Sequence, residues 1–162
     1  DINKDWARSD DDQRHRLTIN GSVNTSPAPA KSAWEKITHG FQVSGMLQAY
    51  SALPFNITSG VTTIQGTAGR PLVNGQFISR NAGVGDDFFS LNARVSRRFA
   101  LGRSLRAEGM LEVFNLTSRR NDLTRNGNFG AGAYPGSPSA TFNQITGVGD
   151  PRSAQIAVRL SF

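Results

Sequence analysis

The sequence predicts an all-β fold: an antiparallel up-and-down meander of about five strands, forming part of a large transmembrane β-barrel. Three observations carry that expectation. The chain ends on a strictly alternating stretch, Arg152-Ser-Ala-Gln-Ile-Ala-Val-Arg-Leu-Ser-Phe162. A period of two belongs to a β-strand, and the length is about that of a strand crossing the hydrocarbon layer. Four segments upstream alternate in the same way. The links between segments alternate between short and long, as the turns and loops at the two ends of a membrane barrel do.

The first strand is expected over 16–25, with Leu17, Ile19, Gly21 and Val23 on one face and Arg16, Thr18, Asn20 and Ser22 on the other. The second is expected over 40–58. Phe41, Val43, Gly45, Leu47 and Ala49 oppose Gln42, Ser44, Met46, Gln48 and Tyr50, and the strand continues through a bend at Pro54. The third runs over 88–101, where Phe89, Leu91, Ala93 and Val95 oppose Ser90, Asn92, Arg94 and Ser96. The fourth runs over 105–116, with Leu105, Ala107, Gly109, Leu111 and Val113 opposite Arg106, Glu108, Met110, Glu112 and Phe114. The fifth covers 152–162. One apolar and one polar side recur in all five, as lipid-facing and lumen-facing sides require.

A tight turn at Gly102-Arg103-Ser104 joins the third and fourth strands. The first link, 26–39, holds Ser-Pro-Ala-Pro-Ala and a short helical turn at Ala33–Ile37. The links 59–87 and 118–151 are long and rich in Gly, Asn, Pro and Arg. With the chain end placed at the periplasm, both long links become external loops and both short links fall on the periplasmic side. Five strands cannot close a barrel, since membrane barrels begin at about eight. Further strands and an export signal are therefore expected before Asp1.

Composition fits this class. Only 37% of residues are hydrophobic and no apolar run reaches the roughly 18 residues of a membrane helix, but barrel strands dilute their hydropathy by alternation. There are no cysteines, which removes disulfides and thiolate metal sites. The net charge of +6 raises nucleic acid as a partner. The basic residues, nearly all arginine, are scattered rather than gathered into the patch that nucleic-acid binding uses, so no nucleic-acid partner is expected.

Several stretches fall in a familiar order: Asp12-Gln-Arg-His-Arg-Leu17, Gly40-Phe-Gln-Val-Ser-Gly45, Ala52-Leu-Pro-Phe-Asn-Ile-Thr-Ser-Gly60, Phe114-Asn-Leu-Thr117, Gly149-Asp-Pro-Arg152 and Arg159-Leu-Ser-Phe162. Together they resemble the C-terminal part of a TonB-dependent outer-membrane receptor of the Oar-like subtype, whose members carry a carboxypeptidase-regulatory-like domain. The resemblance implies a 22-stranded barrel in the cell outer membrane, occluded by a plug on which the TonB complex pulls. The partners it implies are the remaining strands and plug of the same protein, the TonB complex, the barrel-assembly machinery and outer-membrane lipid. The last strand resembles the signal that this machinery reads: Gln155, Leu160 and Phe162 match it, while Ala157 stands where glycine is usual.

No catalytic, cofactor or metal site is expected. His15 and His39 lie in links at opposite ends of the meander. Asp10-Asp11-Asp12 lacks the spaced ligands of a calcium loop and reads as a solvated segment. Gly127-Asn-Phe-Gly130-Ala-Gly132 lacks the strand–helix setting and Lys-Ser/Thr ending of a phosphate loop, so loop flexibility accounts for it. Glu108 and Glu112 are about 13 Å apart along a strand, too far to work as a catalytic pair, and ion pairing with Arg94 and Arg159 is preferred. No G-x-S-x-G elbow occurs. Trp34 fits an interfacial anchor.

The long links do hold candidate ligand contacts. Arg70, Arg80, Arg119, Arg120 and Arg125 lie beside Phe77, Phe129 and Tyr134, a set suited to an anionic or glycan-like ligand. Lipopolysaccharide phosphates and neighbouring loops would suit the same arginines. Two further functions stay open: a surface adhesin or structural barrel without transport, and a soluble β-sandwich binding domain.

Overall fold

The computed structural model describes residues 6–25, 31–102 and 104–162. The Ser26–Ala30 part of the first link and Arg103 of the expected tight turn lie outside them. The elements in chain order are β1 (Arg16–Asn24), α1 (Ala33–Thr38), β2 (Phe41–Tyr50), β3 (Pro54–Phe55), β4 (Leu72–Val73), β5 (Gln76–Phe77), β6 (Gly83–Val84), β7 (Phe88–Ala100), β8 (Arg106–Phe114), β9 (Asp122–Arg125), β10 (Ile145–Val148) and β11 (Ser153–Ser161). With 46% strand and 4% helix the chain is all-β. No helix among the described residues is long and apolar enough to cross a membrane, which leaves crossing by strands open.

The chain divides into two compact units. The sheet unit comprises Leu17–Ala49, Phe89–Arg119 and Asp150–Phe162. Its centre is an open five-stranded antiparallel sheet in the order β1-β2-β7-β8-β11. The five strands are those the alternation predicts, with ends shifted by a residue or two except in the second, which stops at Tyr50 instead of reaching 58.

The register explains how alternation becomes two faces. Val95, Leu111 and Ile156 stand in one cross-strand row, followed by Arg97, Gly109 and Val158, then Phe99, Ala107 and Leu160. The intervening rows are Arg94, Glu112 and Gln155, then Ser96, Met110 and Ala157, then Arg98, Glu108 and Arg159. Directly opposed residues share a face. A slip of one residue would mix the two sets.

On the polar face Arg94 pairs with Glu112 at 3.4 Å and Arg98 with Glu108 at 3.6 Å. Gln155 donates to the Glu112 carboxylate. Arg159 opposes Glu108 in register, but Arg98 is the ion-pair partner of that carboxylate. On the apolar face Ile156 is 82% exposed, Val158 69% and Leu160 59%. Leu17, Ile19, Val43, Leu111 and Phe99 are exposed as well.

In the link between β1 and β2, Ser32 caps the N-terminus of α1, and Glu35 reaches back past it in a variant of the capping box. The Ser32 hydroxyl accepts from Glu35 N at 3.2 Å, and the Glu35 carboxylate reaches back to Lys31 N at 2.6 Å.

The loop unit comprises Asp1–Arg16, Tyr50–Phe88 and Arg120–Gly149. The long links have internal structure that periodicity did not foretell. They hold three two-stranded sheets, β3 with β6, β4 with β5, and β9 with β10. The expected continuation of the second strand past Pro54 is therefore corrected. The main-sheet strand stops at Tyr50, and Pro54 and Phe55 pair instead with Val84 and Gly83. Proline lacks the N–H that an extended central strand needs.

A Cβ at Gly83 would lie 2.6 Å from the Phe55 ring, so any side chain there would have to push that ring aside. β4 and β5 are joined by Asn74-Gly75, both at positive φ (50° and 77°), the geometry of a tight hairpin turn.

Candidate functional site

The arginines and aromatics that composition marks as ligand contacts are, in the structure, mostly bound to one another and to the backbone. Arg125 is the fullest case. Its Nε and Nη2 donate to the two Asp86 carboxylate oxygens at 2.6 and 2.8 Å, and Nη1 donates to the Asn143 carbonyl at 2.9 Å. That two-pronged fork is the strong form of the charge-assisted bond. The Arg125 hydrogen bonds hold the Asp86 carboxyl below its ordinary range, against an opposing effect of burial and with added help from the Arg125 charge. Reciprocally, the bond to Asp86 raises Arg125 above its ordinary value. The pair ties the segment entering β7 to β9.

Phe129, a candidate ligand contact by sequence, is placed in a core. It is 1% exposed and packs against Tyr134 at 4.9 Å and Phe142 at 5.0 Å between ring centroids. Its backbone is held on both sides, by Thr58 O at 2.8 Å and Ser139 N at 2.6 Å. The Gly127–Gly132 stretch is thus not simply flexible. A Cβ at Gly127 would collide with the Asn56 carbonyl and one at Gly132 with the Ser137 carbonyl, so these glycines permit close backbone approach around the Phe129 core.

Arg70 staples the β4–β5 hairpin, donating to the Ile78 carbonyl at 3.1 Å with its guanidinium 5.6 Å from the Phe77 ring centre. Phe77 itself is exposed. Arg80 meets Asp10 at 3.3 Å. The other Asp10 oxygen accepts from the buried Asn81 amide at 2.7 Å, and that amide also donates to Arg8 O at 2.8 Å. Asp10 is therefore pinned rather than simply solvated, and no metal-holding acidic or histidine group exists among the described residues. Arg120 pairs with Asp122 at 2.7 Å.

Arg119 lies 6.0 Å over Phe89. Its backbone is held by Asn115, whose Oδ1 accepts from Arg119 N at 3.1 Å and whose Nδ2 donates to Arg119 O at 2.8 Å. The same amide donates to Asp150 O at 3.2 Å. Asn115 has φ 47°, which asparagine tolerates better than most residues. These bonds give the Phe114-Asn-Leu-Thr117 stretch a physical role as the staple that closes the turn after β8.

The four residues of the expected assembly signal all lie at the C-terminal end of the chain, three of them on β11. Gln155 bonds Glu112, Ala157 opposes Met110 and Leu160 opposes Ala107. Phe162, just past the strand, is fully exposed. β11 is an edge strand with one unpaired backbone side.

Sequence reasoning missed one convergence. At one end of the polar face, a depression of about 880 Å³ is lined by Arg98, Arg106, Arg159 and Glu108, among others. Three guanidinium groups face one carboxylate there, and among the described residues neither Arg106 nor Arg159 has an ion-pair partner. The signal that would have found it is the pairing register, since the three arginines come from three strands. No protein-family model, curated protein or solved structure matches the chain.

Proposed function

We propose that this chain is wall, external loops and C-terminal assembly signal of an outer-membrane β-barrel, in a receptor of the TonB-dependent kind that takes up a ligand. One observation carries the reading: a five-stranded sheet whose apolar rows are in register and exposed, opposite a polar face knit by ion pairs. Monomeric soluble proteins rarely expose contiguous apolar patches beyond a few hundred Å². A soluble β-sandwich would cover that face with a second sheet, whereas Ile156 and Val158 lie bare. In lipid such a face is the satisfied one. The strands of 9–13 residues suit a hydrocarbon crossing of roughly 9–11 tilted residues. Open edges in hydrocarbon cost several kcal/mol per unpaired group, so β1 and β11 pair with further strands of the same barrel.

Within this reading the basic depression faces the lumen, and the loop unit belongs to the external side. Its self-contained packing favours a formed scaffold over a flexible arginine-rich net. TonB-driven uptake rests on the family resemblance, and adhesion without uptake is the alternative use of the same wall.

The chain's lack of cysteine makes a direct test clean. Single cysteines at Ile156, Ala157, Val158 and Arg159 of the full-length protein in membranes should react alternately with a water-soluble maleimide. Positions 157 and 159 should label, while 156 and 158 should stay protected until the lipid is removed. Equal labelling at all four in intact membranes would sink the wall assignment.

A further inference from the structure

Arg97 interrupts the apolar face. Its row continues through Gly109 and Val158, between the Val95–Leu111–Ile156 row and the Phe99–Ala107–Leu160 row. The guanidinium lies 4.8 Å from the Phe41 ring centre and 5.0 Å from that of Phe99. Nη2 donates to the Lys36 carbonyl of α1. Nε is buried with no partner. Arginine carries five N–H donors and one permanent charge. Among the described residues no carboxylate lies within ion-pair reach of Arg97. Arg94 and Arg98, on the other face, each meet a glutamate. The Arg97 charge is held in place by rings but left unneutralised.

We propose that Arg97, together with the neighbouring α1, forms a binding site for the anionic phosphate of a membrane-lipid headgroup. The inference rests on the wall reading given above. An arginine on the lipid face is costly at the midplane and costs little near the interface, so its place marks the level of the headgroups. Trp34 and Ile37 of α1 are both exposed, and an indole with an apolar body and one N–H suits that level. Lys36 is exposed beside them and adds a second cation. The planar guanidinium matches two phosphate oxygens at once. A lipid fits better than a free anion because Val95, Val158 and Leu111, in and beside the same row, offer acyl-chain contact next to the charge.

The test uses full-length protein with Trp34 as its sole tryptophan, in mixed vesicles of phosphatidylglycerol and phosphatidylcholine. Quenching by brominated chains of either lipid reads out local preference around Trp34. Anionic lipid should be favoured about fivefold, the contribution of one cation at a charged surface. Arg97→Gln should remove that preference and Arg97→Lys should keep most of it, while the total quenching with both lipids brominated stays unchanged in both. Undiminished preference in Arg97→Gln overturns the headgroup site while leaving the wall intact. Absence of quenching by either lipid removes wall and site together, and a lipid-free dimer protecting Trp34 would give the face to a second copy. Binding of inorganic phosphate in detergent, equal in strength to the lipid, would show a free-anion site instead.

Discussion

Among the described residues the buried hydrophobic side chains, Ile57 and Phe129, both belong to the loop unit. The sheet unit buries Ser90, Ser96 and Asn115 and leaves Leu111, Ile156, Val158 and Leu160 exposed. One unit is thus packed as a water-soluble domain is, with rings inside and paired charges outside. The other is inverted, with its polar groups gathered on one face and its apolar groups bare on the other. On the proposed wall reading, the same chain serves two solvents. Stability of the loop unit comes from its own core, while that of the sheet comes from ladder bonds and from what touches the apolar face.

The largest effect should come from removing the loop core. Phe129→Ala deletes the ring that Tyr134 and Phe142 enclose, a loss of about 3–5 kcal/mol. Hydrogen exchange should then rise across β9 and β10 while β7, β8 and β11 keep their protection. Equal loss in both units would mean they share one core, and the comparison fails.

Next in size is a charge placed on either face of the sheet. Leu111→Arg should cost about 2–4 kcal/mol of folding stability in lipid vesicles. Gln155→Arg should cost little, because Glu112 stands directly opposite. Equal costs in a vesicle-folding titration would erase the distinction between the faces.

The smallest effect is a pH response confined to the loop unit. The Asp86 carboxyl is held below its ordinary value by Arg125, so its contribution is complete above the ordinary carboxylate pKa of about 4. It is lost as pH falls through the lowered folded value. Protection at Gly83–Phe88 and Asp122–Arg125 should therefore drop on acidification below about pH 4. Asp86→Asn should show the loosened state already at neutral pH and no further acid step there. An unaltered acid step in that variant would assign the response to another group.

Legibility in the sequence followed the same division. All five sheet strands could be read because alternation records each residue's face directly, whichever solvent lies beyond it. The β8–β11 register could not be read, and with it went the convergence of Arg98, Arg106 and Arg159. In the loop unit composition left the partners of the arginines open. Arginines beside aromatics look alike whether they await a ligand or hold one another, and Arg125 finds Asp86 from 39 positions away. Asn74-Gly75 did carry a hairpin signal, but the strands on either side are two residues each and show no period. Pro54 was the one mark against continuing the second strand, and it prevailed.

The Asn115 staple has a consequence for change over time. Its single amide holds both Arg119 O and Asp150 O, so the excursion of chain between them leaves and returns at one point. Just inside, Gly149 N donates to Asn121 O at 2.7 Å. Strand spacing is thereby fixed before the content of the excursion matters. Lengthening such an excursion costs only about 0.6 kcal/mol per doubling. New sequence can be spliced there without disturbing the sheet, which makes this segment the place where a lineage could exchange one loop surface for another while inheriting the strands unchanged.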